Sequence, residues 1–128
     1  MKQLFAVIFA MITMVTMTQA QVNKEAGKVL RHVVLFKFKD SCPAADVKKV
    51  EDAFRALPGR ISEIKSLEWG MNNSPEKLNQ GLTHCFFLTF SAEKDRDTYL
   101  VHPAHQEFGK LLGDKLDKVT VVDYWAEK

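Results

Sequence analysis

The chain has 128 residues, 46% of them apolar, with 18 basic against 16 acidic side chains, four histidines and two cysteines. That length holds one domain with room for an appendage. The near-neutral balance excludes a nucleic-acid footprint and a disordered polyelectrolyte, and two cysteines exclude a disulfide-dense scaffold or a four-thiolate zinc site.

Residues 1–20 stand apart from the rest. Lys2 gives a short basic start, Leu4 to Val15 is apolar except for Thr13, and Thr18-Gln19-Ala20 ends on a small residue. This pattern predicts a secretory signal peptide cleaved between Ala20 and Gln21, and hence a secreted or periplasmic protein. The apolar run is shorter than the roughly 20 residues that span a bilayer. No later segment is longer, so no membrane association is expected once the leader is gone. Cleavage leaves 108 residues, enough to bury a core without staples. Residues 21–29 are polar and aperiodic, a tether before a domain at 30–128.

Within the domain, Arg31 to Lys39 reads as a strand rich in β-branched and aromatic residues. Asp40-Ser41-Cys42-Pro43 is a turn and helix start, with Ser41 or Asp40 as the expected cap. Val47, Val50, Phe54 and Leu57 recur at helical spacing over Ala44 to Leu57, and Pro58-Gly59 stops the helix. Ile61 to Met71 is a second strand and Asn72 to Gly81 a polar loop. Leu82 to Phe90 is the clearest strand, with His84, Phe86, Leu88 and Phe90 on one face. Ser91 is placed to cap a helix running to Val101. His102-Pro103 interrupts it, and Pro103 opens a further helix with Phe108, Leu111 and Leu112 on its buried stripe. Lys118 to Trp125 is the last strand. The order β-α-β-β-α-β, with its second helix broken in two, predicts an α+β fold: a four-stranded antiparallel sheet with helices on one face.

The histidines are the most informative polar residues. His32 and His84 each open an apolar strand face; if the two strands are neighbours, both imidazoles enter one cavity, although a single histidine on such a face is more often a satisfied core residue. Tyr99-Leu100-Val101-His102-Pro103-Ala104-His105 forms a second group, in which His102 reads most simply as a helix cap. Asp123 is a lone carboxylate in the run Val119-Thr120-Val121-Val122-Asp123-Tyr124 and needs a partner if buried. A neutral histidine donating one ring N–H to it would serve, leaving the other nitrogen as a base near pH 7. A metal site fits less well, since there is no H-E-x-x-H or C-x-x-C and only His102 and His105 lie close in sequence. There is no phosphate loop, and no cofactor is expected. Export raises the question of a Cys42–Cys85 disulfide, but one lies at a helix start and the other inside a strand, and two separate thiols are the expectation.

Several stretches are familiar together: Arg31-His32-Val33-Val34-Leu35-Phe36-Lys37-Phe38, Gly81-Leu82-Thr83-His84, Tyr99 to Phe108, and Val121-Val122-Asp123-Tyr124. Over about residues 30–126 they resemble the stress-responsive A/B barrel (Dabb) domain family, the Tyr-x-x-His-Pro-x-His stretch being the most specific part. The resemblance implies a ferredoxin-like α+β barrel that dimerises through its sheets. It also implies site residues, by correspondence with a plant polyketide cyclase of the family. His105 would be the base, Asp123 the carboxylate orienting it, Tyr99 the hydroxyl that helps hold substrate, and His32 and His84 further pocket histidines. These positions are widespread in the family and do not single out cyclase chemistry.

Besides a cofactor-free oxygenase, which rests on analogy of fold alone, two functions follow as expectations. In the first, a His-lined pocket binds a small carbonyl-bearing or aromatic molecule and acts as a cofactor-independent cyclase or lyase by proton transfer. In the second, the protein is a non-enzymatic, dimeric, stress-associated or ligand-binding protein whose histidines are structural. A homodimer is expected in both, because Val33, Leu35, Cys85 and Phe87 are too apolar for an open sheet face. Which alternation set faces the helices is left open by the sequence.

Overall fold

The computed structural model describes residues 27–127; the leader and most of the tether lie outside that range. The elements are β1 (Leu30–Phe38), α1 (Ala44–Ala56) with a 3-10 turn at Leu57–Gly59, β2 (Ser66–Met71), β3 (His84–Phe90), α2 (Glu93–Val101), α3 (Pro103–Leu112) and β4 (Leu116–Trp125). The strands form one sheet in the order β2-β3-β1-β4, with every neighbouring pair antiparallel. This is the α+β arrangement expected from the element order. No helix among the described residues is long and apolar enough to cross a membrane.

Strand alternation decides which face meets the helices. Leu30, His32, Val34 and Phe36 of β1 are buried, whereas Arg31, Val33, Leu35 and Lys37 are only half-covered. His84, Phe86, Leu88 and Phe90 of β3 are buried on the same side. Onto them pack Val50 and Phe54 of α1, Leu57, Ile61 and Ile64 after it, Tyr99 of α2 and Phe108 of α3. The centre is aromatic: Phe86 stacks on Phe54 at 4.0 Å between centroids, with planes 3° apart, and lies within 5.6 Å of Phe36 and Trp69.

β4 is treated differently. Its register on β1 sets Val119 opposite Phe36, Val121 opposite Val34 and Asp123 opposite His32. Directly opposed residues project to the same side of a sheet, so these three share the helix face. Yet Val119 and Val121 are 53% and 52% exposed. The helix layer stops short of this edge strand, and a cavity opens beside it.

Several boundaries differ from the sequence expectation. Neither Ser41 nor Asp40 caps α1; Pro43 is the N-cap, without a side-chain bond, and its carbonyl accepts from Asp46 and Val47. Ser91 is not a cap either, since Ala92 occupies that position before α2. β2 begins at Ser66 rather than Ile61, because Ile61 and Ile64 are drawn into the core by turns in which Ile61 donates to Leu57 and Ile64 to Ile61. The two cysteines are separate thiols, and burial, helped by Glu68, raises the Cys85 thiol above its ordinary value.

Candidate functional site

The cavity beside β4 has a volume of about 310 Å³, with walls that include Val34, Phe54, Phe108, Leu112, Val119 and Val121. Its polar lining is His32, Tyr99, His105 and Asp123. Four elements converge to make it, β1 and β4 supplying His32 and Asp123 and α2 and α3 supplying Tyr99 and His105.

His32 and Asp123 face each other across the ladder, and His32 Nδ1 lies 2.7 Å from Asp123 Oδ1. The second carboxylate oxygen accepts from Arg96 Nη1 at 2.9 Å. Both oxygens of Asp123 are therefore engaged, one by each neighbour. His105 takes a different partner: its Nδ1 lies 3.1 Å from the Leu100 carbonyl, and a carbonyl only accepts, so Nδ1 carries the proton and Nε2 the lone pair. The implied contact between Asp123 and His105 is thus replaced by two separate ones. The carboxylate orients His32, and the backbone orients His105.

Tyr99 joins the two histidines. It is 1% exposed, with its ring centroid 4.4 Å from that of His105 and 5.6 Å from that of His32. Burial, and after it the charge of Asp123, pushes its phenol well above the ordinary range, so it stays a donor. Burial lowers the His105 imidazole below its usual value, an effect the Leu100 carbonyl opposes and neighbouring His32 reinforces. His105 is accordingly an uncharged base at neutral pH. No buried side-chain nitrogen or oxygen among the described residues lacks both a partner and access to the surface. The Tyr99 hydroxyl and the Nε2 atoms of His32 and His105 take no protein partner there, so each is left to whatever fills the cavity they line.

His84 is elsewhere, correcting the expectation that it shares a cavity with His32. In the ladder it stands opposite Phe36, while His32 stands opposite Leu88. The two are four positions apart, roughly 13 Å at the rise of a strand. Both its nitrogens are engaged, with Thr83 Oγ1 and Glu51 Oε1 each 2.8 Å away. Trp69 and Phe38 enclose the ring. His84 joins α1 to the sheet and has no free nitrogen for a ligand. His102 is a cap, its Nδ1 accepting from the Ala104 N–H at 3.0 Å. Among the described residues no three His, Cys, Asp or Glu side chains converge as a metal site would need.

Three contributors were not recognised in the sequence. Arg96 lies three residues before Tyr99, a spacing that puts both on one helix face. Glu51 borders the apolar stripe of α1. The Leu100 carbonyl was signalled only by Pro103, whose ring prevents the helix from continuing.

The pattern of the family described as Stress Responsive A/B Barrel Domain matches residues 30–126. The Arabidopsis thaliana stress-response A/B barrel domain-containing protein HS1 is 37% identical over 101 residues, covering 79% of this chain and 93% of the relative. Olivetolic acid cyclase of Cannabis sativa is 27% identical, covering 77% and 98%. Among solved structures, a dimeric protein of ferredoxin-like fold and unknown function from Bacteroides fragilis aligns with a TM-score of 0.61 at 31% identity, over 75% of this chain and 94% of that one. The hydroxynitrile lyase of Passiflora edulis shares the fold with a TM-score of 0.74 at 23% identity, over 79% and 95%.

Proposed function

The chain belongs to the stress responsive A/B barrel domain family, and from that premise we propose that its cavity binds a small carbonyl-bearing or aromatic molecule and moves a proton on it. The observation that carries this reading is a set of three polar atoms without a partner among the described residues, two imidazole Nε2 and one phenolic hydroxyl, in a cavity whose walls, apart from Asp123, are otherwise apolar. His105 Nε2 takes a proton from the carbon beside the carbonyl. The Tyr99 hydroxyl donates to the oxygen on which negative charge then collects. His32, held by Asp123, offers its Nε2 to a second polar group of the ligand and fixes its orientation, while the apolar walls hold the carbon skeleton. A volume of about 310 Å³ suits a small molecule. The cyclase and lyase among similar proteins favour this class of chemistry, and the signal-like leader argues against a coenzyme A thioester as substrate.

The test is hydrogen–deuterium exchange at the carbon beside the carbonyl of hydroxyaryl methyl ketones in heavy water, followed by NMR. Exchange of the carbon-bound proton well above the buffer rate, with chemical shifts changing at His105 and Tyr99, is the expected result. Shift changes without exchange would favour a ligand-binding protein that does no chemistry. Neither response would remove the proposal.

We also propose that the mature protein is exported and forms a homodimer through the outer sheet face. The leader sequence supports the first part. The second is supported by the half-covered Val33, Leu35 and Phe87, the exposed Val122 and Tyr124, and the dimeric description of similar structures. Native mass spectrometry of protein expressed with its leader in an export-competent host reads both. Twice the mass of a chain beginning at Gln21 is expected; a full-length monomer would contradict both parts.

A further inference from the structure

The helix break before His105 determines what that imidazole can bond. In an uninterrupted helix the carbonyls of Tyr99 and Leu100 would accept from the N–H groups of residues 103 and 104. Pro103 has no N–H. His102 is extended, with φ −63° and ψ 138°, and its own N–H takes the Tyr99 carbonyl at 3.2 Å. The Ala104 N–H is held by His102 Nδ1 at 3.0 Å. The Leu100 carbonyl is thereby left without a backbone donor, and His105 Nδ1 occupies it at 3.1 Å.

His105 is the third residue of α3, inside the first turn, where backbone N–H groups lack helical partners and the chain frays unless capped. The span from the end of α2 to the His105 ring therefore depends on that turn staying wound. The side-chain bond that winds it is the one from His102, with Gln106 N–H returning to the His102 carbonyl at 3.0 Å.

We propose that His102 is a positioning residue: its cap on Ala104 fixes the first turn of α3 so that His105 keeps Nδ1–H on the Leu100 carbonyl and presents Nε2 to the cavity. This rests on the reading of His105 as the base, and it deepens that reading by naming what sets the tautomer. A cap that served stability alone would leave the His105 tautomer indifferent to its loss.

The experiment reads ring nitrogens directly, by two-bond proton–nitrogen correlation on histidine-labelled protein at pH 8, with no ligand. Wild type is expected to show the Nδ1–H pattern at His105. In H102A and H102G, which lack an acceptor, that pattern should give way to the mixed tautomers of a neutral imidazole in water. In H102N and H102D, whose short side chains are good caps, it should return. Retention of the Nδ1–H pattern in folded H102A and H102G overturns the proposal, as does its loss in H102N and H102D as well. Should the alanine and glycine variants fail to fold, H102L and H102F, which fill the place of the imidazole but have no acceptor, take their part in the comparison. An intact tautomer response with no proton exchange on any ketone would instead count against His105 as base, so the two failures are distinguishable.

Discussion

Replacing His105 with Gln is expected to slow carbon-proton exchange on a cavity-bound ketone by roughly 10²- to 10⁴-fold, the usual contribution of a positioned base. Glutamine has a similar reach, and its amide can still donate to the Leu100 carbonyl, which Nδ1 now meets at 3.1 Å, but it has no basic lone pair to receive a proton. Ligand affinity should change little, because the apolar walls and His32 are untouched. The pH profile gives a second signature. The base works only when unprotonated, and burial lowers its ionisation below the ordinary histidine value. The wild-type rate should therefore be level at neutral pH and upward, and fall with acidification only below the range in which a free histidine titrates. That acid limb should vanish in H105Q. A variant keeping more than about a tenth of the wild-type exchange rate would take the base role away from His105.

Replacing Phe86 with Ala is expected to cost about 3–5 kcal/mol of stability, measured by urea denaturation. Phe86 is fully buried and is the ring against which Phe54, Phe36 and Trp69 all lie. Two of these belong to strands and one to α1, so the void left by alanine borders both layers and cannot close by shifting one side chain. A domain of this size holds about 5–15 kcal/mol in total, so the loss would bring it near the edge of folding. A cost under about 1.5 kcal/mol would mean that the layers collapse into the gap, and that the aromatic stack does not act as a unit.

The fold was legible because its periods are clean. Alternation in β1 and β3 and the helical spacing of Val47, Val50 and Phe54 report packing against one layer, and packing is what apolar periodicity records. Boundaries were less legible where backbone bonds overrule side-chain preference. Ser41 and Ser91 have the chemistry of caps but not the position, because Pro43 and Ala92 stand at the helix starts. Ile61 and Ile64 have strand character but are buried through turns.

The site divides in the same way. Of the residues that line the cavity, His32 and Asp123 stood out by their places on apolar strands, whereas Tyr99 and His105 were marked as site residues only by the family resemblance. Their pairing was not legible, because pairing depends on register. A relation of Asp123 to His32 follows only once β4 is set against β1, and the separation of His84 from His32 only once β3 is set against β1 in the opposite direction. Arg96 and the Leu100 carbonyl lie on no apolar pattern at all.

The uncovered edge strand has one further consequence. Val119 and Val121 face the cavity yet are half exposed, so the domain's stability depends little on their size, whereas the shape of the cavity depends on it directly. Residues of that kind tolerate substitution at a cost of typically less than 0.5 kcal/mol. The shape of the cavity can therefore be changed by substitutions along β4, while the aromatic layer under α1 stays fixed and keeps the domain folded.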